Sequence, residues 1–319
     1  MRRDLVSVGS AIVDRYYRLS NLPEPDGGAF VRDSWEGFGG VAANVACAVS
    51  RLGREAGMVS RLGSDGDAEA VAEDLREWDV DTERLQYGGE ASTYSIVLRD
   101  PAGERMIVTG GEAARSLSLA EADLAYARDA RAVFTNGYVP DRAVAPLVEA
   151  RSAGALPPLA FDLSGPLAEL EDRGTAPDTI DAAVESADLF VADTVALRSY
   201  LDYHGAPFGP RDTAAAVEWF RDRGAERVAL TRGADGAVLF TPGTVVEVPA
   251  YDVDVVDATG AGDAFVAGLI DGWLLDGRDP EEAGRHAAAV AALNCTGDGA
   301  RGGLPTREAV GRFRAEREE

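Results

Sequence analysis

Val255-Val256-Asp257-Ala258-Thr259-Gly260-Ala261-Gly262-Asp263-Ala264-Phe265 reads as an apolar strand end, a Gly-rich turn and the start of a helix. Small residues let successive backbone N–H groups point into one cavity, and the positive end of the following helix faces the same point, so the stretch is built to hold an anion. Asp263 falls in the first turn of that helix, where the helix dipole favours the ionised carboxylate. An anion cradle with a carboxylate beside it suits in-line phosphoryl transfer, which depends mostly on positioning and charge stabilisation. Taken alone, the same residues also describe a tight turn with a capping Asp.

Away from this turn, short apolar segments alternate with helical patterns. Residues 5–9 and 57–61 read as strands, and residues 41–52, with Val41, Val45, Val49 and Leu52 at helical spacing, and 68–78 read as helices. Further strands are expected at 132–135, 159–162, 188–191 and 227–231, each beside a helix-like stretch. A mostly parallel sheet with helices on both faces accommodates this order. The closing part, 263–275 and 281–294, is strongly helical, with Phe265, Leu269 and Trp273 on one stripe. Two extended pieces, 16–38 and 93–109, break the alternation, the second turning at Asp100-Pro101-Ala102-Gly103. They are expected to pair into a small sheet serving as a lid, the alternative being two ordinary surface hairpins. The 319 residues then make one domain, 1–319, with a lid from about 15–38 and 92–110.

Composition narrows the partners. Acidic residues number 55 against 31 basic ones, a net charge of −24, and all the basic residues are Arg. Nucleic acid and anionic membranes are therefore poor partners. With no Lys there can be no GxxxxGK[ST] phosphate loop, no Schiff-base lysine and no protein-kinase lysine. The first strand is not followed by the GxGxxG of a dinucleotide-binding dehydrogenase. No signal-peptide pattern and no apolar run near the ~20 residues of a membrane span are seen, so a soluble, cytoplasmic protein is expected. Cys47 and Cys295, each within a helix-like stretch, read as reduced thiols.

Asp257 to Phe265 resembles the C-terminal signature of the ribokinase-like sugar and nucleoside kinases, the PfkB family. Gly39-Gly40-Val41-Ala42-Ala43-Asn44-Val45-Ala46, running to Arg51-Leu52-Gly53, resembles that family's N-terminal motif, in the same order and separation. The resemblance implies a ribokinase-like three-layer α/β sandwich with a central mostly parallel sheet and a β-sheet lid. It implies an ATP-dependent kinase acting on a hydroxyl of a small sugar, with Asp263 as catalytic base and Gly260, Ala261 and Gly262 as its anion hole. Asp14, at the end of the first strand, would bind substrate hydroxyls with Gly39, Gly40 and Asn44. A carboxylate and an amide together suit a polyol, whose hydroxyls both donate and accept. Thr231, Gly233 and Gly236, in Thr231-Arg232-Gly233-Ala234-Asp235-Gly236, match the turn beside the ATP phosphates and ribose. Asn294 aligns with the adenine-side loop. Asp257 and Thr259 occupy positions that some relatives use for a monovalent cation such as K⁺. A homodimer formed through the lid is a further implication, with Phe30, Trp35 and Phe38 supplying its apolar contacts or, equally, covering the substrate.

The chain departs from the family at one place. Where Asn-x-x-Glu is usual, it reads Asp193-Thr194-Val195-Ala196. Asp193 keeps an oxygen for Mg²⁺, while Ala196 cannot replace the glutamate, so the ion would rely on Asp193, waters and ATP oxygens. Phe161-Asp162-Leu163-Ser164-Gly165-Pro166 carries no Arg after Asp162 to hold a carboxylate, which points to a neutral polyol or a nucleoside. A nucleoside kinase is the alternative within the class; a sugar- or nucleotide-binding regulator without turnover is the alternative outside it, supported only by Ala196. The carboxylate excess also implies salt adaptation, because screening relieves self-repulsion. The melting temperature should accordingly rise from low to molar KCl; a value indifferent to KCl would remove that reading.

Overall fold

The computed structural model describes residues 2–206, 209 and 213–317. Its strands, in chain order, are β1 (Leu5–Val8), β2 (Ile12–Leu19), β3 (Val31–Gly39), β4 (Ala56–Leu62), β5 (Asp81–Tyr87), β6 (Tyr94–Arg99), β7 (Arg105–Gly110), β8 (Ala132–Asn136), β9 (Leu159–Asp162), β10 (Leu189–Asp193), β11 (Val228–Thr231), β12 (Ala237–Thr241) and β13 (Thr244–Val248). Nine of them form one sheet in the order β13-β12-β11-β10-β9-β8-β1-β4-β5. The pairs from β11 through β5 are parallel; β11–β12 and β12–β13 are antiparallel. Side chains alternate across the sheet, so Leu5 enters one core while Val6 and Val8 enter the other.

Helices cover both faces. Those over the first core are α1 (Val41–Arg51) and α2 (Gly66–Glu77). Over the second core come α3 (Glu121–Arg128), α4 (Asp141–Ser152), α5 (Leu167–Asp172), α6 (Pro177–Ser186), α7 (Thr194–Tyr203) and α8 (Thr213–Asp222). The chain then returns to the first with α9 (Ala261–Leu269), α10 (Pro280–Asn294) and α11 (Arg307–Ala315). Because β8, β9, β10 and β11 run parallel, their C-terminal ends bring Asn136, Asp162, Asp193 and Thr231 to one edge of the sheet. Open α/β sheets bind ligands along that edge.

The remaining strands form a separate lid sheet, β3-β2-β6-β7. The register places Asp14 beside Ser95 and Ser95 beside Thr109. Tyr16 and Trp35 stack across β2 and β3 with ring centroids 5.1 Å apart. Trp35 and Phe38 are thus partly covered, whereas Phe30 stays 75% exposed. Arg15 ties the lid to α2 through Asp67 at 2.7 Å.

Several elements differ from the expectation. β5 has one buried residue, Leu85, and β13 only Val248, so neither edge strand carries a long apolar run. Residues 253–256 are not in a strand: Val255 and Val256 are exposed, and the Val256 N–H donates to Cys295 O. Beyond Leu269 the helix widens into a π segment, Ile270–Leu275. This segment turns Asp271 inward, where it accepts from Arg54 at 2.7 Å, meets His286 at 2.9 Å and pairs with Arg307. Burial alone would raise the Asp271 carboxyl, but the His286 and Arg54 hydrogen bonds and the Arg307 charge outweigh it and hold it at about 2. A depressed carboxyl stabilises the fold above its unfolded value, and the benefit is lost as pH falls through the folded one. Asp271→Asn should therefore lower stability by ~3–5 kcal/mol at neutral pH, the cost of breaking a buried ion pair. The gap from wild type should narrow below about pH 4; equal stability at pH 7 in chemical denaturation would refute this.

Candidate active site

Gly260 caps α9 with a left-handed φ of 74°. A Cβ there would sit 2.3 Å from Ala300 O, so glycine is required twice over. Ala261, Gly262 and Asp263 follow as the first turn, whose N–H groups have no partner within the helix. Gly262 is exposed to the cavity, and the half-buried Asp263 lines the same space. Asn44 Nδ2 donates to Asp263 Oδ2 at 2.7 Å. Burial pushes the Asp263 carboxyl up to about 7; the charges of Asp162 and Asp14 add to the rise, and the Asn44 hydrogen bond and Arg301 oppose it.

Asn44 lies in the first turns of α1, which begins after Gly40. Its amide is fixed at both ends, since Oδ1 accepts from Arg301 Nε at 2.7 Å. The same buried guanidinium donates to Gly39 O at 3.2 Å and pairs with Asp74. One Nδ2 hydrogen of Asn44 is left for another acceptor. Asp14 points from β2 toward Gly39, where a Cβ would come within 2.1 Å of its Oδ2. Ser95 and Tyr16 donate to Asp14, and burial raises its carboxyl despite them.

Asp162 and Asp193 end β9 and β10. Burial raises Asp162 to about 6, with the Ser164 hydrogen bond opposing and the Asp193 charge adding. Asp193 caps α7, Oδ1 accepting the N–H groups of Val195 at 2.7 Å and Ala196 at 2.8 Å. The Ala196 methyl is fully buried in the core, pointing away from any metal role. Asp162, Asp193 and Asp263 line a cavity of about 120 Å³ together with Thr231 and Gly262. It adjoins a cleft of about 670 Å³ through the shared residues Asp193, Thr231 and Gly262. Gly233, Gly236, Tyr251, Ala292 and Cys295 complete much of the larger wall, whose size suits a nucleotide.

Three predicted residues are engaged otherwise than expected. Asn294 is fully buried and donates to Ala300 O at 3.0 Å and Thr259 O at 3.4 Å, so it braces the Gly-rich turn instead of facing the cleft. The cleft wall at that level comes from Ala291, Ala292 and Cys295. Asp257 and Thr259 are bound by an arginine of the lid: Arg99 Nη2 lies 2.7 Å from Asp257 Oδ2 and 3.0 Å from Thr259 Oγ1. In the sequence, Arg99 and Arg301 do not read as site residues, and Asp162 enters only through the absence of an Arg after it. Only Asp162 carried a signal, an acidic residue closing an apolar strand.

Comparison with known proteins places this arrangement. The family model of the pfkB family carbohydrate kinases matches residues 2–307. The chain is 34% identical to an ATP-dependent ribose-1-phosphate kinase of Halopiger xanaduensis over 98% of both chains. It is 29% identical to a nucleoside kinase of Methanothermobacter thermautotrophicus, covering 98% of this chain and 96% of that one. Among solved structures, the ribokinase of Arabidopsis thaliana complexed with ribose and ATP superposes with a TM-score of 0.83 at 24% identity, over 98% of this chain and 99% of that one. Signature turn, fold and whole-length similarity agree: the chain belongs to the pfkB family of carbohydrate kinases, phosphotransferases with an alcohol group as acceptor.

Proposed function

We propose that the protein transfers the γ-phosphoryl group of ATP to a hydroxyl of a ribosyl compound, with Asp263 accepting the hydroxyl proton. The observation that carries this reading is the position of Asp263: its carboxylate faces the cavity beside the nucleotide-sized cleft and is hydrogen-bonded to Asn44, with Gly39 and Asp14 beyond. Ribosyl acceptors are favoured because the Halopiger relative is named for ribose 1-phosphate and the Methanothermobacter relative for nucleosides, and the furanose is common to both. Asp14 would accept from ribose hydroxyls, and the free Nδ2 hydrogen of Asn44 would donate to one of them.

The nucleotide would lie along Thr231, Gly233 and Gly236, with its terminal phosphate over the N–H groups of Gly262 and Asp263, since that of Ala261 already donates to Ala258 O at 3.3 Å. Those donors are aimed where negative charge gathers during transfer, and they need no reorganisation. Mg²⁺, when bound, neutralises phosphate charge. Asp162 and Asp193 would offer it hard oxygen donors, with waters and phosphate oxygens supplying the rest. Among the described residues no three acidic, His or Cys side chains converge to hold a metal alone. A carboxyl at about 7 is well matched to taking a proton at neutral pH.

Two measurements test the reading. In an ADP-release screen over ribose, ribose 1-phosphate, nucleosides, hexoses and sugar acids, a ribosyl compound should be preferred; preference for a sugar acid would overturn it. Asp263→Asn should lower kcat by ~10²–10⁴-fold while leaving ATP-analogue affinity unchanged or better. Only the ionised carboxylate accepts a proton, so wild-type kcat/KM for the acceptor should climb about tenfold per pH unit below pH ~7 and then level off. The variant should lack that limb. Near-normal turnover by the variant, or a flat wild-type profile from pH 5 to 8, would show the assignment to be wrong.

A further inference from the structure

We propose that Arg99 of the lid supplies the positive charge that a monovalent cation would otherwise place at Asp257 and Thr259, so that lid closure, not K⁺ binding, sets the Gly-rich turn. The Asp257 carboxylate is saturated. It accepts from Thr259 N at 2.9 Å, Thr259 Oγ1 at 2.7 Å, Gly299 N at 3.1 Å and Arg99 Nη2 at 2.7 Å. Thr259 Oγ1 receives two guanidiniums, Arg99 at 3.0 Å and Arg105 at 3.0 Å. A K⁺ ion needs several oxygen lone pairs turned toward it. Here those of Asp257 and Thr259 face a group of the same charge, which would repel the ion at close range.

The two arginines are not independent decorations. Arg99 and Arg105 face each other at the last rung of the β6–β7 hairpin, just before its turn, so both guanidiniums travel with the tip of the lid. Asp257 is almost wholly buried and Arg99 largely so, which keeps solvent and salt from screening their pair. Arg105 lines the nucleotide-sized cleft, and among the described residues no carboxylate pairs with it. Arg99 is thus a positioning residue: it acts on the loop that leads into Gly260–Asp263, and through that loop on the phosphate site. The Gly299 contact and the Asn294 brace hold the far side of the same loop, leaving the lid arginines to hold the near side.

The test separates a particular cation from salt in general. Activity and the affinity for a non-hydrolysable ATP analogue, by calorimetry, are measured at constant high ionic strength while KCl is replaced by NaCl and by tetramethylammonium chloride. For the wild type, both quantities should stay within about twofold across the three salts. Arg99→Gln should melt below wild type, because the buried Asp257 carboxylate loses its partner, lose ~10-fold or more in kcat/KM and acquire a preference for K⁺ in both readouts; Arg99→Lys should restore indifference to the cation. A wild-type requirement for K⁺ over Na⁺ of tenfold or more would overturn the proposal, as would an Arg99→Gln variant as active and as indifferent to K⁺ as wild type. Should Arg99→Gln not fold, the wild-type substitution of cations decides alone. The inference rests on the kinase reading for its activity arm only, since analogue binding needs no acceptor.

Discussion

One amide group holds the two halves of the site together. Asn44 comes from the first turns of α1 and Asp263 from the first turn of α9, 219 residues apart, and Asn44 Nδ2 joins them at 2.7 Å. Its other end is held by Arg301, which reaches from the loop after α10 to Asp74 and the carbonyl of Gly39. Each partner satisfies a polar group that would otherwise be buried without one. The orientation of the Asn44 amide follows from these partners: a guanidinium can only donate and a carboxylate at neutral pH mainly accepts. The substrate-side residues, the Gly-rich turn and the proposed base are therefore set by a single connected network, in which loosening one member loosens all.

That network accounts for the electrostatics of the site. Asp14, Asp162, Asp193 and Asp263 stand around one small region, and Arg301 is the cation that acts on both Asp14 and Asp263. Burial and mutual repulsion raise Asp162 and Asp263 above the usual carboxylate range. In the unliganded protein this carries a stability cost, because a buried carboxyl with a raised pKa binds protons more tightly folded than unfolded, and stability falls as pH rises from about 4 toward 7. Functional sites commonly bear such costs. The apolar layers beneath, with Phe134, Phe161 and Phe190 wholly buried along the central strands, fix the strand ends rigidly enough to hold the carboxylates in place.

Most of the framework was legible in the sequence because its signals are local. The parallel strands are short apolar runs, and the Gly-rich turn and the Gly39-Gly40 turn announce themselves through residues that few other conformations require. Two extended pieces interrupting the βα alternation gave the lid. What could not be read was whatever depends on contacts between distant segments. Arg301 meets Asp74 and Asn44 across 227 and 257 residues, and nothing in its own neighbourhood distinguishes it from the other arginines. Arg99 reads as one more charge on a lid strand until the fold places it on Asp257. Asn294 aligns with the family's adenine-side loop, but a helix end turns successive side chains in different directions, and its own faces inward. The edge strands β5 and β13 were missed because an edge can be built from largely polar residues.

The central claim is geometric: a substrate hydroxyl is held between Asp14 and Asn44 on one side and the Gly260–Asp263 turn on the other, within reach of one carboxylate. A crystal structure of the protein with a non-hydrolysable ATP analogue and its preferred acceptor tests this most directly. The account predicts one acceptor hydroxyl within about 3 Å of the Asp263 carboxylate, in line with the terminal phosphorus, with the phosphate on the N–H groups of Gly262 and Asp263. An acceptor bound with every hydroxyl remote from Asp263, or a terminal phosphate seated away from that turn, would contradict it.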